Sequence, residues 1–252
     1  MIEIFILSLI QGVTEFIPVS SSSHLIIMSD FLKFDSADLT IDVSLHIGSF
    51  LAVITYFRKD LKDYIKNKDL FLIIIVSSFP IMIVGYLLVR FEIIDQLRNL
   101  KLIGWTTIIF GIFLYLTDKF EIKRNLDKGF SFKSAIIIGL FQILSLVPGV
   151  SRSGITISSS RLLKFNRYDS AKISFLLSIP TLAAVSFFGL NEIINSKNLD
   201  FSLFNLLSII LSFLFSYITI KYFLKYIKRF NLNLFVIYRL VLGIIVLLIA
   251  HL

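Results

Sequence analysis

Cysteine is absent from all 252 residues, which excludes disulfides and thiolate metal ligands while saying nothing about compartment. Charge is scarce as well. Asp, Glu, Lys and Arg make up 17% of the chain, against about a quarter in a soluble domain. With 56% hydrophobic residues, 26 phenylalanines and a mean hydropathy of +0.88, that scarcity excludes a soluble globular fold. Acidic residues are the rarer sign, 17 against 25 basic, for a formal charge of +8. This excess is not a nucleic-acid footprint, because Lys and Arg are confined to short connectors between apolar runs, where they set membrane orientation. No nucleic-acid partner is expected. The opening Met-Ile-Glu lacks the basic n-region of a signal peptide, and the first apolar stretch is broken by Gln11 and Glu15, so it is expected to be retained.

What is present is a series of apolar runs near the ~20 residues that cross a hydrocarbon core. They are clearest at Leu70–Val89, Leu102–Thr117, Ala171–Leu190, Leu203–Phe223 and Leu234–Ala250. The expected fold is all-α and polytopic, with residues 1–252 forming one integral membrane domain.

A gapless displacement of 131 positions sets Gln11 on Gln142, Val19 on Val150, Ser20 on Ser151 and Ser22 on Ser153, and superimposes the apolar runs. Two repeats are implied, about 1–120 and 132–252. Charge gives their relative direction. Arg58–Lys68 and Asp118–Lys133 carry five Lys/Arg each, and Arg161–Lys172 and Lys221–Asn231 four each, whereas Asn191–Asp200 has only Lys197 and Phe31–Leu39 only Lys33. With the basic connectors in the cytoplasm, corresponding spans oppose each other, so the repeat is inverted. The same assignment makes Met1–Met28 begin and end outside, and Ser134–Ser160 begin and end inside. Each is interrupted by a proline, Pro18 or Pro148, followed by Ser-rich sequence. We therefore expect two re-entrant helical hairpins and about six transmembrane helices. Non-helical backbone at that depth must line a protein-enclosed cavity, so the two tips should meet.

The tips hold the candidate chemistry. Gln11 and Glu15, four apart, share a helix face. Pro18 cannot continue that helix, and the serines after it cap another beginning near Ser21, with His24 one turn in. In "PGVSRSGIT", Pro148 and Gly149 supply a turn, Ser151 and Ser153 caps, Arg152 a bidentate cation and Thr156 a hydroxyl one turn later. Helix N-termini with Arg152 make a phosphate cradle. A serine run is ordinarily just a cap, and a lone intramembrane Gln ordinarily holds helices together. Glu15, His24 and Arg152 differ, because an ionisable group at mid-membrane costs about 2.5–3.5 kcal/mol and by default faces a cavity and a partner. His46 and Asp42 read as an interfacial structural pair, and Arg239 and Glu92 as snorkelling span ends. A hydroxyl at Ser21 or Ser20, a histidine, a carboxylate able to hold a divalent cation and Arg152 are the parts of phosphoryl transfer.

"QGVTEFIPVSSSSH" and "PGVSRSGIT" resemble the two signatures of the bacterial undecaprenyl-diphosphate phosphatases of the bacitracin-resistance type, and the similarity covers nearly the whole chain. It implies hydrolysis of undecaprenyl diphosphate to undecaprenyl phosphate and inorganic phosphate in the bacterial plasma (inner) membrane, with the site toward the extracytoplasmic side. The lipid carrier of peptidoglycan synthesis is thereby recycled and bacitracin resisted. By position, the resemblance assigns Glu15, Ser21, His24 and Arg152 to catalysis, and Gln11, Ser20, Ser151, Arg152, Ser153 and Thr156 to the substrate. Position 11 is Gln where many members have Glu, leaving Glu15 as the chief ligand of Mg²⁺ or Ca²⁺. Ser22-Ser23 stand where Thr-Gly is frequent. A homodimer is admitted. The competing reading is a lipid-phosphate flippase or secondary anion transporter, which shares the inverted-repeat architecture; a structural scaffold would leave Glu15 and Arg152 unexplained.

Overall fold

The computed structural model describes residues 1–32, 39–66, 68–195 and 203–251. Among the described residues every regular element is helical, apart from one isolated bridge between Arg124 and Phe165. The helices are α1 (Ile2–Thr14), α2 (Ser21–Leu32), α3 (Leu39–Tyr56), α4 (Arg58–Lys66), α5 (Lys68–Arg90), α6 (Ile93–Gln96) and α7 (Leu100–Asp118), then α8 (Leu126–Gly129), α9 (Phe132–Ile143), α10 (Arg152–Leu162), α11 (Arg167–Asn195), α12 (Leu203–Ile227) and α13 (Asn233–Ile249).

Length separates them into two kinds. Helices α3, α5, α7, α11, α12 and α13 have 17 to 29 residues, enough for a hydrocarbon core that takes about 17–25. Helices α1, α2, α9 and α10 have only 11 to 13. Twelve residues rise about 18 Å, well short of a core about 30 Å thick. The protein is thus a multi-pass membrane protein whose two short helix pairs dip into the layer.

Helices equated by the displacement of 131 run antiparallel. Along α3 and α11, Val43 lies against Gly189, Phe57 against Phe175, and Asp60 accepts from Lys172. Along α7 and α13, Gly104 lies against Leu247, Gly111 against Arg239, and Asp118 Oδ2 accepts from the Leu232 amide at 3.2 Å. Helices α5 and α11 instead run side by side in one direction, since Ser78 Oγ donates to Leu177 O and Tyr86 meets Phe188. This is the arrangement expected of an inverted repeat.

The second hairpin demonstrably returns to its starting side. Arg161, near the end of α10, donates to Asp118 O and Phe120 O, at and just past the end of α7, and Arg124, just before α8, donates to Ser134 in the first turn of α9. The tip between them reaches Thr106, whose hydroxyl donates to Pro148 O at 2.6 Å. The first hairpin behaves alike: Leu7 of α1 and Leu25 of α2 share one apolar cluster with Ile41 and Leu45 at the start of α3. Its tip is anchored by Phe16, fully buried and edge-on to Phe175 at 5.3 Å. Hydroxyls join the spans where backbones approach closely, as with Ser49 against Ser212 and Ser216 of α12. At the opposite end, Asp118 is buried between Arg161 and Arg167.

Candidate active site

Helix α1 stops because Pro18 offers no N–H to continue it. Glu15, its C-cap, therefore sits at the tip with Gln11 one turn behind. Ser20 then takes φ 80°, and Ser151, its counterpart in the other repeat, φ 71°. A non-glycine residue with positive φ costs about 1–3 kcal/mol and persists only where its surroundings over-determine it. Here they do. The Ser20 carbonyl accepts from His24 Nδ1 at 2.6 Å, and Ser151 Oγ caps α10 by accepting from the Gly154 amide at 3.1 Å. Gly149, at φ 93°, supplies the turn the second tip needs.

The two tips meet as expected. Arg152 Nη2 donates to Glu15 Oε1 at 2.9 Å, and Ser153 Oγ donates to Ile17 O at 2.7 Å. Ser21 Oγ donates to Glu15 Oε2 at 2.6 Å, and Gln11 Nε2 donates to the same oxygen at 3.2 Å. Arg152 Nη1 is held by Ser174 O at 3.2 Å. Glu15, Ser20, Ser21, Ser151 and Arg152 all line one cavity of about 180 Å³. The N-termini of α2 and α10 both open onto it, so free N–H groups and the positive ends of two helix dipoles converge beside a guanidinium. This is a cradle for a multiply charged anion, with a carboxylate-bound hydroxyl at its edge.

Four expected site residues stand off the cavity wall, and Gln11 is one, reaching the site only through its bond to Glu15. His24 is not part of the cavity lining: Nδ1–H donates to Ser20 O, so in the neutral ring Nε2 accepts from Tyr238 Oη, at 2.6 Å. Its ring also stacks on Tyr238. Thr156 lies behind Arg152, its hydroxyl donating to Arg152 O and sharing a hydrogen bond with Ser174 Oγ, at 2.7 Å each. Ser153 ties tip to tip.

Two other residues exceed what the sequence suggested. His46 is not merely half of an interfacial pair with Asp42; it bonds the Asp42 carbonyl through Nδ1 at 2.8 Å and lines the cavity. Arg239 does not snorkel. It is fully buried and donates to Pro18 O, Val150 O, Gly149 O and Thr107 O, at 2.7 to 3.2 Å. A signal was available, since Arg239 lies six residues into α13, about 9 Å along its axis. Its carbonyl partners carry no side-chain signature, and that part was hidden. Arg239→Lys replaces a fork reaching four carbonyls by a point charge. We expect it to destabilise the protein by about 3–5 kcal/mol, the cost of breaking a buried charge's bonds, seen as a lower melting midpoint in detergent.

Fold and cavity together define a multi-pass membrane protein with a polar cavity where the tips of two short helix pairs meet. The chain belongs to the bacitracin resistance protein BacA family, whose sequence model matches residues 4–245. It is 50% identical over 251 residues to the undecaprenyl-diphosphatase of Pelagibacter ubique (strain HTCC1062), covering 99% of this chain and 98% of the relative. It is 35% identical to the undecaprenyl-diphosphatase of Jannaschia sp. (strain CCS1), with 98% of each chain covered. Against undecaprenyl-diphosphatase 1 of Pseudoalteromonas translucida (strain TAC 125) the identity is 39%, over 96% of each.

Proposed function

We propose that this protein hydrolyses undecaprenyl diphosphate to undecaprenyl phosphate and inorganic phosphate, recycling the lipid carrier of peptidoglycan synthesis and conferring bacitracin resistance. The observation that carries the reading is the Ser21–Glu15 hydrogen bond beside Arg152, at the meeting point of two helix N-termini. Ser21 Oγ attacks the terminal phosphorus and its proton passes to Glu15, the group it is already bonded to. The bond from that phosphorus to the bridging oxygen breaks, and the electron pair leaves with undecaprenyl phosphate. Water then attacks the phosphoserine, the Ser21 Oγ–P bond breaks as Oγ takes back the proton held by Glu15, and the phosphate departs carrying both hydrogens of the attacking water. Arg152, with Ser20, Ser151 and the helix N–H groups, holds the phosphate oxygens; Gln11 holds Glu15. His24 and Ser153 fix the tips, and Thr156 fixes Arg152. Purified protein given a prenyl diphosphate should release phosphate. Binding without release would point instead to a lipid-phosphate flippase or anion transporter.

A divalent cation, Mg²⁺ or Ca²⁺, belongs to the same proposal. Glu15 is the single carboxylate on the cavity wall, and among the described residues no three His, Cys, Asp or Glu side chains gather. One carboxylate completed by substrate phosphates and water is a common way to hold Mg²⁺. When bound, such an ion neutralises phosphate charge. Activity is expected to vanish in excess chelator and return with either ion. Gln11→Glu sets a second carboxylate beside Glu15 and should lower the cation concentration for half-maximal rate. Full activity in chelator would remove the ion from the reaction.

The reading also places the protein in the bacterial plasma membrane with the cavity toward the extracytoplasmic side, supported by the basic connectors at the other end of the spans. Single-cysteine variants are unambiguous in this Cys-free chain. In intact cells an impermeant thiol reagent should label position 191 and spare 62 and 123. The reverse pattern would invert the assignment.

A further inference from the structure

His46, on α3, lines the same cavity as Glu15, Ser21 and Arg152. Its Nδ1 lies 2.8 Å from the Asp42 carbonyl oxygen, one turn back along its own helix. A carbonyl can only accept, so Nδ1 carries the proton and, in the neutral ring, Nε2 presents a lone pair. Among the described residues that nitrogen has no hydrogen-bond partner, and with Nδ1 turned back onto α3 it is the edge left to the cavity. His24 is the opposite case, since Ser20 O and Tyr238 engage both of its nitrogens.

An independent feature holds the helix that carries His46 in place. Leu45 O accepts from Ser212 Oγ of α12 at 2.7 Å, Ser49 bonds Ser212 and Ser216, and a Cβ at Gly48 would come within 2.5 Å of Ile209 O. Backbones packed this closely fix the height and rotation of α3. The imidazole is thus presented from a rigid element rather than a loop.

Hydrolysis of a phosphoserine needs a proton acceptor for the attacking water, and Glu15 is then already occupied. It holds the Ser21 proton, which must return to Oγ as the Oγ–P bond breaks. Arg152 stays protonated. The other polar side chains on the wall, His46 apart, are serine and threonine hydroxyls, too weakly basic to take a proton near neutral pH. Imidazole is the side chain suited to that task.

We propose that His46 is the general base of the second half of the reaction. The inference rests on the proposed hydrolase reading with Ser21 as nucleophile. As the water oxygen bonds to phosphorus, one of its protons passes to His46 Nε2, and the Oγ–P bond breaks with Oγ taking the proton from Glu15. The imidazolium then gives its proton to the departing phosphate, so all three side chains end as they began. Glu15 acts as base in the first step and acid in the second; His46 acts in the second alone, its ring oriented by the Asp42 carbonyl.

Single-turnover quenching in detergent with Mg²⁺ present, using undecaprenyl diphosphate radiolabelled at its terminal phosphate, separates the two steps. The amide of His46→Gln can hydrogen-bond but cannot take a proton, and His46→Asn keeps a donor for the Asp42 carbonyl. In both, acid-stable label on Ser21 is expected to form at the wild-type rate, which also shows that the site is intact. Its conversion to inorganic phosphate should slow on the order of 10²-fold or more. Phosphate release at the wild-type rate from either variant overturns the proposal, as does loss of label and phosphate together at an unchanged melting midpoint, since His46 would then act before the phosphoserine exists. Phosphate released with no label on Ser21 in any of the three proteins removes the step His46 is assigned to. Failure of the hydrolase reading looks different: the wild-type protein itself would release no phosphate.

Discussion

Arg152→Lys is expected to fold, to keep its positive charge, and to lose on the order of 10²–10³-fold in phosphate release, the usual cost of removing a transition-state donor. Arg152 makes two divergent bonds from one planar group, Nη2 to Glu15 Oε1 at 2.9 Å and Nη1 to Ser174 O at 3.2 Å. The second fixes the plane of the guanidinium; the first shows what the free face is aimed at. In the proposed reaction an incoming phosphate competes with Glu15 for that face and is held bidentately. An ammonium group can reach one of these partners but cannot present a fork. The side chain is only about 12% exposed, so little water is present to substitute for the lost bond. The measurement is initial rate against substrate concentration, with the melting midpoint confirming that the variant is folded. Near-normal turnover would show that charge alone suffices and would sink the assigned role.

The parts of this site that the sequence announces are those whose meaning is local. Pro18 followed by serines, Gln11 and Glu15 at helical spacing, and Arg152 after Gly149 each follow from short-range rules. The displacement of 131 positions, with the distribution of Lys and Arg, was enough to anticipate that α3 and α11 oppose each other. What stayed hidden comes from helices distant in sequence. Tyr238 and Arg239 arrive from α13, the former at His24 Nε2 and the latter at the carbonyls of both tips. His46 arrives from α3, where a pairing with Asp42 four residues away was the nearer explanation. A main-chain carbonyl is the same in every residue, so no pattern of residue types could foretell that Pro18, Gly149 and Val150 would gather round one guanidinium. The reorientation of His24 has the same origin: its spacing from Ser21 fits catalysis and fits the capping of a strained turn equally well.

Ser21→Ala is expected to lose on the order of 10⁴-fold or more, as nucleophile deletions do in enzymes acting through a covalent intermediate. Three groups of similar chemistry compete for the role, and geometry separates them. Ser20 Oγ bonds Ser22 and Ser23, at 3.3 and 3.0 Å, rather than a carboxylate. His24 has Nδ1 on a carbonyl and Nε2 on Tyr238, so attack through either nitrogen would require breaking a 2.6 Å bond. Ser21 alone has its hydroxyl on a proton acceptor, Glu15, at 2.6 Å, while lying at the first residue of α2 where unpaired N–H groups hold phosphate oxygens. Rapid acid quenching after mixing with a substrate labelled at its terminal phosphate should therefore leave acid-stable label on the peptide bearing Ser21, absent in Ser21→Ala. Acid-labile, base-stable label that disappears in His24→Ala would move the nucleophile to the imidazole. If no label is trapped while Ser21→Ala stays inactive, water attacks directly and Ser21 serves only to bind the phosphate, turning onto it the hydroxyl proton it now gives to Glu15.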